Sequence, residues 1–199
     1  FWYGGTQAAG TDQLTRVSSL GDSKYADTFD LSAFDTNMFG NKRNYVSVTS
    51  GNDTVIGNGD TTLSLLSSST SQSSNGSKGV DVTLKGDTFS TADLSGLTWQ
   101  PISTLADRIA GGVITFKGVD EIRGTNFDDT LTGGGYDDYE AFRGRAGNDL
   151  INGGSGYDMS DYQGSTTGVY VDLGAGIAKG MDSADSSTGI DTLRSIEAI

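Results

Sequence analysis

Gly144-Arg145-Ala146-Gly147-Asn148-Asp149-Leu150-Ile151-Asn152, followed directly by Gly153-Gly154-Ser155-Gly156-Tyr157-Asp158, decides how this chain is read. It is one nine-residue pattern met twice: glycines that turn the backbone, an aspartate after the turn, then a short apolar strand. Glycine takes positive φ without a Cβ clash, so such a turn aims its carbonyls inward. Ca²⁺ takes six to eight hard oxygens. One turn supplies carbonyls and the aspartate after it, and a turn stacked on the same edge supplies the rest. At nine residues per half-coil the stacked partner is two units away, so a site needs at least three consecutive units.

The register extends backwards. Gly124-Thr125-Asn126-Phe127-Asp128-Asp129-Thr130-Leu131-Thr132 places Asp129 as ligand and Leu131 inward, and Gly133-Gly134-Gly135-Tyr136-Asp137-Asp138 opens another unit with Asp138 as ligand. The frame then slips. The segment from Tyr139 to Arg143 must hold a two-residue bulge, with Phe142 taking the apolar slot from Glu140, and the last unit carries Ser160 where an apolar residue belongs. Gly-Asn-Asp runs are ordinary turn residues, which accounts for one unit but not for four in register. The expected metal set is the carboxylates of Asp129, Asp138, Asp149 and Asp158 with the turn positions Gly133, Gly135, Gly144, Ala146, Asn148, Gly153, Ser155 and Tyr157. Asp129 should share a cation with Asp149, and Asp138 with Asp158.

These motifs resemble the RTX, or haemolysin-type calcium-binding, proteins, which bacteria secrete and which fold outside the cell. The resemblance is clear over about the last 80 residues and fainter before them. It implies an all-β fold, a parallel β-roll or β-helix of nonapeptide repeats joined by strand-loop-strand linkers, with Ca²⁺ as the cofactor. Ser160 to Leu173 and Gly189 to Ile199 look like such linkers. The same plan occurs earlier in the chain. Asp27-Thr28-Phe29 corresponds to Asp129-Thr130-Leu131, Asp53 to Asp149, and Gly79-Val80-Asp81-Val82-Thr83-Leu84 to Gly168 through Leu173. Residues 1–117 therefore read as a diverged module with insertions and 118–199 as a second module. Asp53 is the metal candidate of the first, although Gly57-Asn58-Gly59-Asp60 lacks a following unit.

Composition agrees with metal-bearing turns. Of 26 acidic residues only Glu121, Glu140 and Glu197 are glutamate, and short aspartate suits turn-borne sites as well as Asx-turns. A net charge of −13 argues against nucleic-acid binding, which needs basic patches. It also disfavours folding without a counter-ion. Cysteine is absent, so no disulfide assists, and no hydrophobic run approaches a membrane span. Phe1-Trp2-Tyr3-Gly4-Gly5 has neither a charged n-region nor a cleavage pattern. The missing initiator Met and the end inside a motif suggest a piece of a longer chain.

Period-two alternation at Tyr45-Val46-Ser47-Val48-Thr49 and at Val169 to Leu173 predicts strands. One short helix is expected from Pro101, with Ile102, Leu105, Ala106 and Ile109 on one face and Gly111-Gly112 at its end. The serine-rich stretch from Leu65 to Gly79 reads as a polar loop. Histidine and cysteine are both absent, which removes Ser-His-Asp triads, histidine zinc sites and thiol nucleophiles. The chain is thus expected to be no enzyme but a calcium-binding structural module of a large secreted or cell-surface bacterial protein, adhesin or surface-layer in type. The alternative is an accessory repeat region of an extracellular protease, lipase or polysaccharide epimerase. Calcium ions and other copies or neighbouring modules of the same protein are the expected partners. Trp2, Trp99, Tyr136, Tyr139, Tyr157 and Tyr162 add a weaker expectation of carbohydrate stacking.

Overall fold

Strands form where an acid or threonine is followed two residues later by an apolar side chain. In Asp53-Thr54-Val55, Asp129-Thr130-Leu131 and Asp149-Leu150-Ile151, the third residue is wholly buried. A computed structural model describes residues 19–23, 25–34, 43–48, 51–65, 70–74, 78–86, 88–95, 97–101, 109–110, 113–134, 139–182 and 187–199. Its strands are β1 (Ser19–Gly21), β2 (Thr28–Asp30), β3 (Asn44–Ser47), β4 (Thr54–Ile56), β5 (Thr61–Ser64), β6 (Thr70–Ser74), β7 (Lys78–Thr83), β8 (Ser90–Asp93), β9 (Leu97–Pro101) and β10 (Ile109–Ala110). They continue as β11 (Val113–Lys117), β12 (Glu121–Arg123), β13 (Asp128–Thr132), β14 (Ala141–Arg143), β15 (Leu150–Asn152), β16 (Met159–Ser160), β17 (Val169–Asp172), β18 (Ile177–Gly180) and β19 (Ile190–Arg194).

The chain is all-β and built on parallel sheets. One six-stranded sheet runs β1-β3-β5-β12-β14-β16 with every pairing parallel. A second runs β2-β4-β11-β8, and a third β17-β18-β19-β15-β13-β7. Over β1–β5 and again over β12–β16, successive strands alternate between sheets. β12, β14 and β16 lie in the first, and the intervening β13 and β15 lie in the third. Between β12 and β16 each strand therefore pairs with one two along the chain, so its apolar residue meets its counterpart in register: Ile122 with Phe142, and Leu131 with Ile151. Leu63, Ile122, Phe142, Leu131, Ile151, Val55 and Phe116 belong to one continuous core. Each fully buried side chain of this size contributes about 1.5–3 kcal/mol.

One set of pairings occurs twice. β4 pairs in parallel with β11, and β11 antiparallel with β8; β15 pairs in parallel with β19, and β19 antiparallel with β18. The two stretches are not separate bodies. The first sheet crosses residue 117 through the β5–β12 pairing, and β7 pairs in parallel with β13.

Two expectations are corrected. No helix occurs among the described residues. Pro101 closes β9 and Ile109 opens β10, and the two strands pair antiparallel, Ile109 opposite Trp99; residues 102–108 lie outside the described ones. The serine-rich stretch is correspondingly not all loop. Thr70–Ser74 forms β6, held by backbone ladder bonds that need no apolar side chain.

Candidate metal centre

The turns Gly144–Asp149 and Gly153–Asp158 fold alike. Positive φ falls at the second and fourth positions of each, at Arg145 (84°) and Gly147 (121°), then at Gly154 (94°) and Gly156 (129°). Arg145 thus holds a conformation that suits glycine, at a cost of roughly 1–2 kcal/mol. The turns stack at the spacing the repeat requires. The Gly124 amide donates to the Arg143 carbonyl (2.9 Å), and the Gly133 amide to the Asn152 carbonyl (2.8 Å). A Cβ on Gly133 would collide with the Gly153 carbonyl, so glycine is needed for the close approach.

Each stacked acid receives the amide of the residue in front of it. On one edge the Val80 amide donates to Asp129 Oδ1 (2.8 Å), the Asp129 amide to Asp149 Oδ1 (2.9 Å), and the Asp149 amide to Asp191 Oδ1 (3.0 Å). On the other edge the Glu140 amide donates to Asp158 Oδ1 (3.1 Å) and the Asp158 amide to Glu197 Oε2 (2.9 Å). In the first half the Asp27 amide donates to Asp53 Oδ1 (2.9 Å).

The second carboxylate oxygens divide these acids into two kinds. Asp129 Oδ2 accepts the Thr125 amide (2.7 Å), and its Oδ1 also accepts the Thr125 hydroxyl (2.7 Å), so the protein satisfies both oxygens. Oδ2 of Asp53, Asp149 and Asp158 is buried with no hydrogen-bond partner. An unsatisfied buried acceptor costs about 1–3 kcal/mol, more when charged. Burial accordingly pushes the Asp149 carboxyl up to about 9, with the neighbouring Asp129 charge adding to it. Burial likewise lifts Asp53 to about 7, Asp191 to about 6 and Asp129 to about 6, and it raises Asp158. Arg145 lies in this field: its Nη2 donates to Ser64 Oγ (3.0 Å), and its charge lowers Asp129.

Asp129 and Asp149 thus share one edge, Asp158 stands on the other, and Asp53 sits beside Asp27. Gly135 and Asp138 lie outside the described residues. The acid stacked on Asp158 is Glu140, where Asp138 had been expected. Phe142 takes the apolar slot, which draws Glu140 into the edge position, and both Glu140 oxygens accept the Gly134 amide (3.0 and 2.8 Å). Gly144 and Gly153 abut the unsatisfied oxygens of Asp149 and Asp158. Ala146 lies in the stacked turn, half-buried. Asn148 braces the stack, its amide donating to Asp128 Oδ1 (2.8 Å) and its Oδ1 accepting the Ile190 amide (2.9 Å). Ser155 and Tyr157 are exposed on the turn surface.

Asp191, Glu197, Glu140 and Asp120, whose Oδ1 accepts the Thr61 amide (2.7 Å), were not anticipated as members of the edges. Asp120 and Asp191 follow the positive-φ glycines Gly118 and Gly189 by two residues, as Asp149 follows Gly147. Counting back two residues from the inward position finds three of the four, in Asp191-Thr192-Leu193, Asp120-Glu121-Ile122 and Glu140-Ala141-Phe142.

Among the described residues no three His, Cys, Asp or Glu side chains converge closely enough to hold a metal alone. A cation here would draw on one carboxylate oxygen per acid together with turn carbonyls, a mixed hard-oxygen set that suits Ca²⁺. The unsatisfied oxygens of Asp53, Asp149 and Asp158 fit that donor set. No family model matches this chain, and no curated protein matches it.

Proposed function

We propose that this chain is a calcium-binding structural module, wound as a parallel β-roll, of a secreted or cell-surface protein. The observation carrying the reading is the set of buried carboxylate oxygens without partners on Asp53, Asp149 and Asp158, each beside a glycine turn. Bound Ca²⁺ would supply the positive charge that these oxygens lack, held by Asp149 and Asp158 in the second half and Asp53 in the first. The alternation of strands between two parallel sheets supports the roll. Asp129 has a different part. With both oxygens satisfied it caps its own turn as an Asx residue does, and it needs no metal for that.

Catalysis is not part of this reading. In the cleft beside the Gly144 turn Arg143 is ion-paired with Asp161, and the Tyr162 hydroxyl donates to Asp191 Oδ2 (3.0 Å). Burial raises the Tyr162 phenol, so it is a poor proton donor or base near neutral pH.

Titration calorimetry on EDTA-stripped protein tests the proposal. Ca²⁺ should bind and Mg²⁺ should bind far more weakly, because Mg²⁺ demands a tighter octahedral site. Asp149→Ala removes a charged ligand and should weaken Ca²⁺ binding tenfold or more, about 1.4 kcal/mol per decade. Absence of Ca²⁺ binding at millimolar concentration, with an unchanged melting temperature, would end this reading.

A further inference from the structure

Gly79-Val80-Asp81-Val82-Thr83-Leu84 and Gly168-Val169-Tyr170-Val171-Asp172-Leu173 share glycine, both valines and leucine in the same order. β7, in the first, lies against β13 and pairs with it in parallel. β17, in the second, pairs with β18 on one side, and among the described residues no strand pairs with its other side. Burial follows that difference. Val80, Val82 and Leu84 are at most 3% exposed, whereas Val169 and Val171 are half-buried and Leu173 is 44% exposed.

The open edge is matched down to its amides. Met181 donates its amide to the Gly168 carbonyl (2.8 Å), so alternation along the antiparallel pair turns the N–H groups of Val169 and Val171 outward. On β7 the same alternate amides face β13: the Val80 amide meets Asp129 Oδ1 (2.8 Å), and the Leu84 amide, just past the strand, meets the Thr132 carbonyl (2.8 Å). Gly79 is a glycine because a Cβ there would collide with Asp129 Oδ1. At Gly168 a Cβ would meet only the flexible Met181 side chain, whose residue is 73% exposed. Gly168 leaves room for an aspartate that its own molecule does not provide.

β2 carries that aspartate at the other end of the chain. Among the described residues it lies at a sheet edge, paired only with β4. The Ser23 amide donates to Asp27 Oδ2 (2.7 Å), as the Thr125 amide donates to Asp129 Oδ2 (2.7 Å). The Asp27 amide reaches Asp53, as the Asp129 amide reaches Asp149. Thr54 donates to the Asp27 carbonyl and Leu31 to the Ile56 carbonyl, which turns the amides of Thr28 and Asp30 away from β4. Phe29 is half-buried where Leu131 is fully buried.

We propose that the β17 edge of one molecule docks in parallel on the β2 edge of a second copy, repeating the β7–β13 pairing, with Asp27 Oδ1 accepting the Val169 amide. The contact is head-to-tail and leaves one edge open at each end, so it builds open-ended rows and not closed dimers. It rests on strand pairing and not on the metal.

Sedimentation of the full chain in calcium buffer at moderate salt, from low micromolar to millimolar, tests it. The weight-average mass should rise past the dimer with concentration. Val171→Pro and Thr28→Pro each remove an outward amide from an edge strand, where proline is tolerated. Each variant should stay monomeric with an unchanged circular dichroism spectrum. An equimolar mixture of the two should form a dimer and stop there, since only one compatible pair of edges remains. Association lost in Val171→Pro but kept in Thr28→Pro would mean β17–β17 pairing and would overturn the proposal. A monomer at every concentration would overturn it too. Should either variant unfold, hydrogen exchange of the wild type decides. The Val169 and Val171 amides should slow as concentration rises, and fast exchange throughout rejects the contact.

Discussion

In the first half of the molecule the acid stack has two described members, Asp27 and Asp53; in the second it runs from the Val80 amide through Asp129 and Asp149 to Asp191. The local stereochemistry is the same, with the same amide-to-Oδ1 distance of 2.9 Å and the same unsatisfied Oδ2 on the second acid. The charge environment is not. Burial lifts Asp53 to about 7, but it lifts Asp149, with Asp129 and Asp191 on either side, to about 9. Like charges stacked along an edge compound the cost of burial. The longer stack is therefore the one whose ionised form depends more on a counter-ion.

The largest effect that probes this comparison is on packing. Leu131 and Phe29 hold corresponding places, yet only Leu131 is completely buried. Leu131→Ala should cost about 2–5 kcal/mol by denaturant titration. Phe29→Ala should cost less than half of that. Equal losses would show that β2 is covered as fully as β13, which would break the comparison and weaken the docking proposal with it.

A smaller effect concerns pH. Where the folded carboxyl stays protonated and the unfolded one has ionised, the folded state binds more protons, so stability falls as pH rises. Metal-free protein should be most stable near the ordinary carboxylate value of 3.8 and lose stability as pH rises through about 7 for Asp53 and about 9 for Asp149. With Ca²⁺ the trend should reverse, because cation and proton compete for the same oxygens. Asn keeps the acceptor for the preceding amide, so Asp149→Asn should flatten the metal-free profile more than Asp53→Asn. Melting curves between pH 5 and pH 9 in EDTA check the order; a steeper dependence on Asp53 would invert the argument.

The smallest effect lies at a matched turn. Gly118 (φ 62°) follows β11 as Ser195 (φ 48°) follows β19. Ser195→Gly relieves left-handed strain and should add about 1 kcal/mol, roughly 2–4 °C in melting temperature for a chain of this size. Gly118→Ser should lower it, because a Cβ there would come within 2.5 Å of the Gly57 carbonyl.

The strands and the inward residues Leu131, Phe142 and Ile151 were legible because a nine-residue period leaves a strong imprint on glycine and aspartate. The stacking of Gly124 on Gly144 and of Gly133 on Gly153 followed from the same count. Glu140 was not legible as an edge acid, because the slip at 139–143 conceals the frame and Asp138 looks like the better ligand. Asp191 and Glu197 were missed for another reason. They enter the edges after long excursions: the Asp149–Asp191 bond spans 42 residues and the Asp158–Glu197 bond spans 39. Pro101 and Ile109, expected in a helix whose middle lies outside the described residues, stand in paired strands, and sequence spacing does not mark a partner as distant as Thr70–Ser74.

Between β12 and β16 each strand pairs with the strand two along, and this has a kinetic consequence. Asp129 and Asp149 are 20 residues apart, so each new strand docks on a template laid down only a little earlier. Loop-closure entropy grows slowly with length, about 0.6 kcal/mol per doubling, so even the 42-residue return to Asp191 adds little to that cost. A roll wound as proposed would fold vectorially, by nucleation of a few turns and growth outward, with neighbouring coils as the unit of cooperativity. The segment Tyr139–Arg143, where the frame shifts, is the step at which that growth must change register, and Phe142 is the side chain that re-sets it.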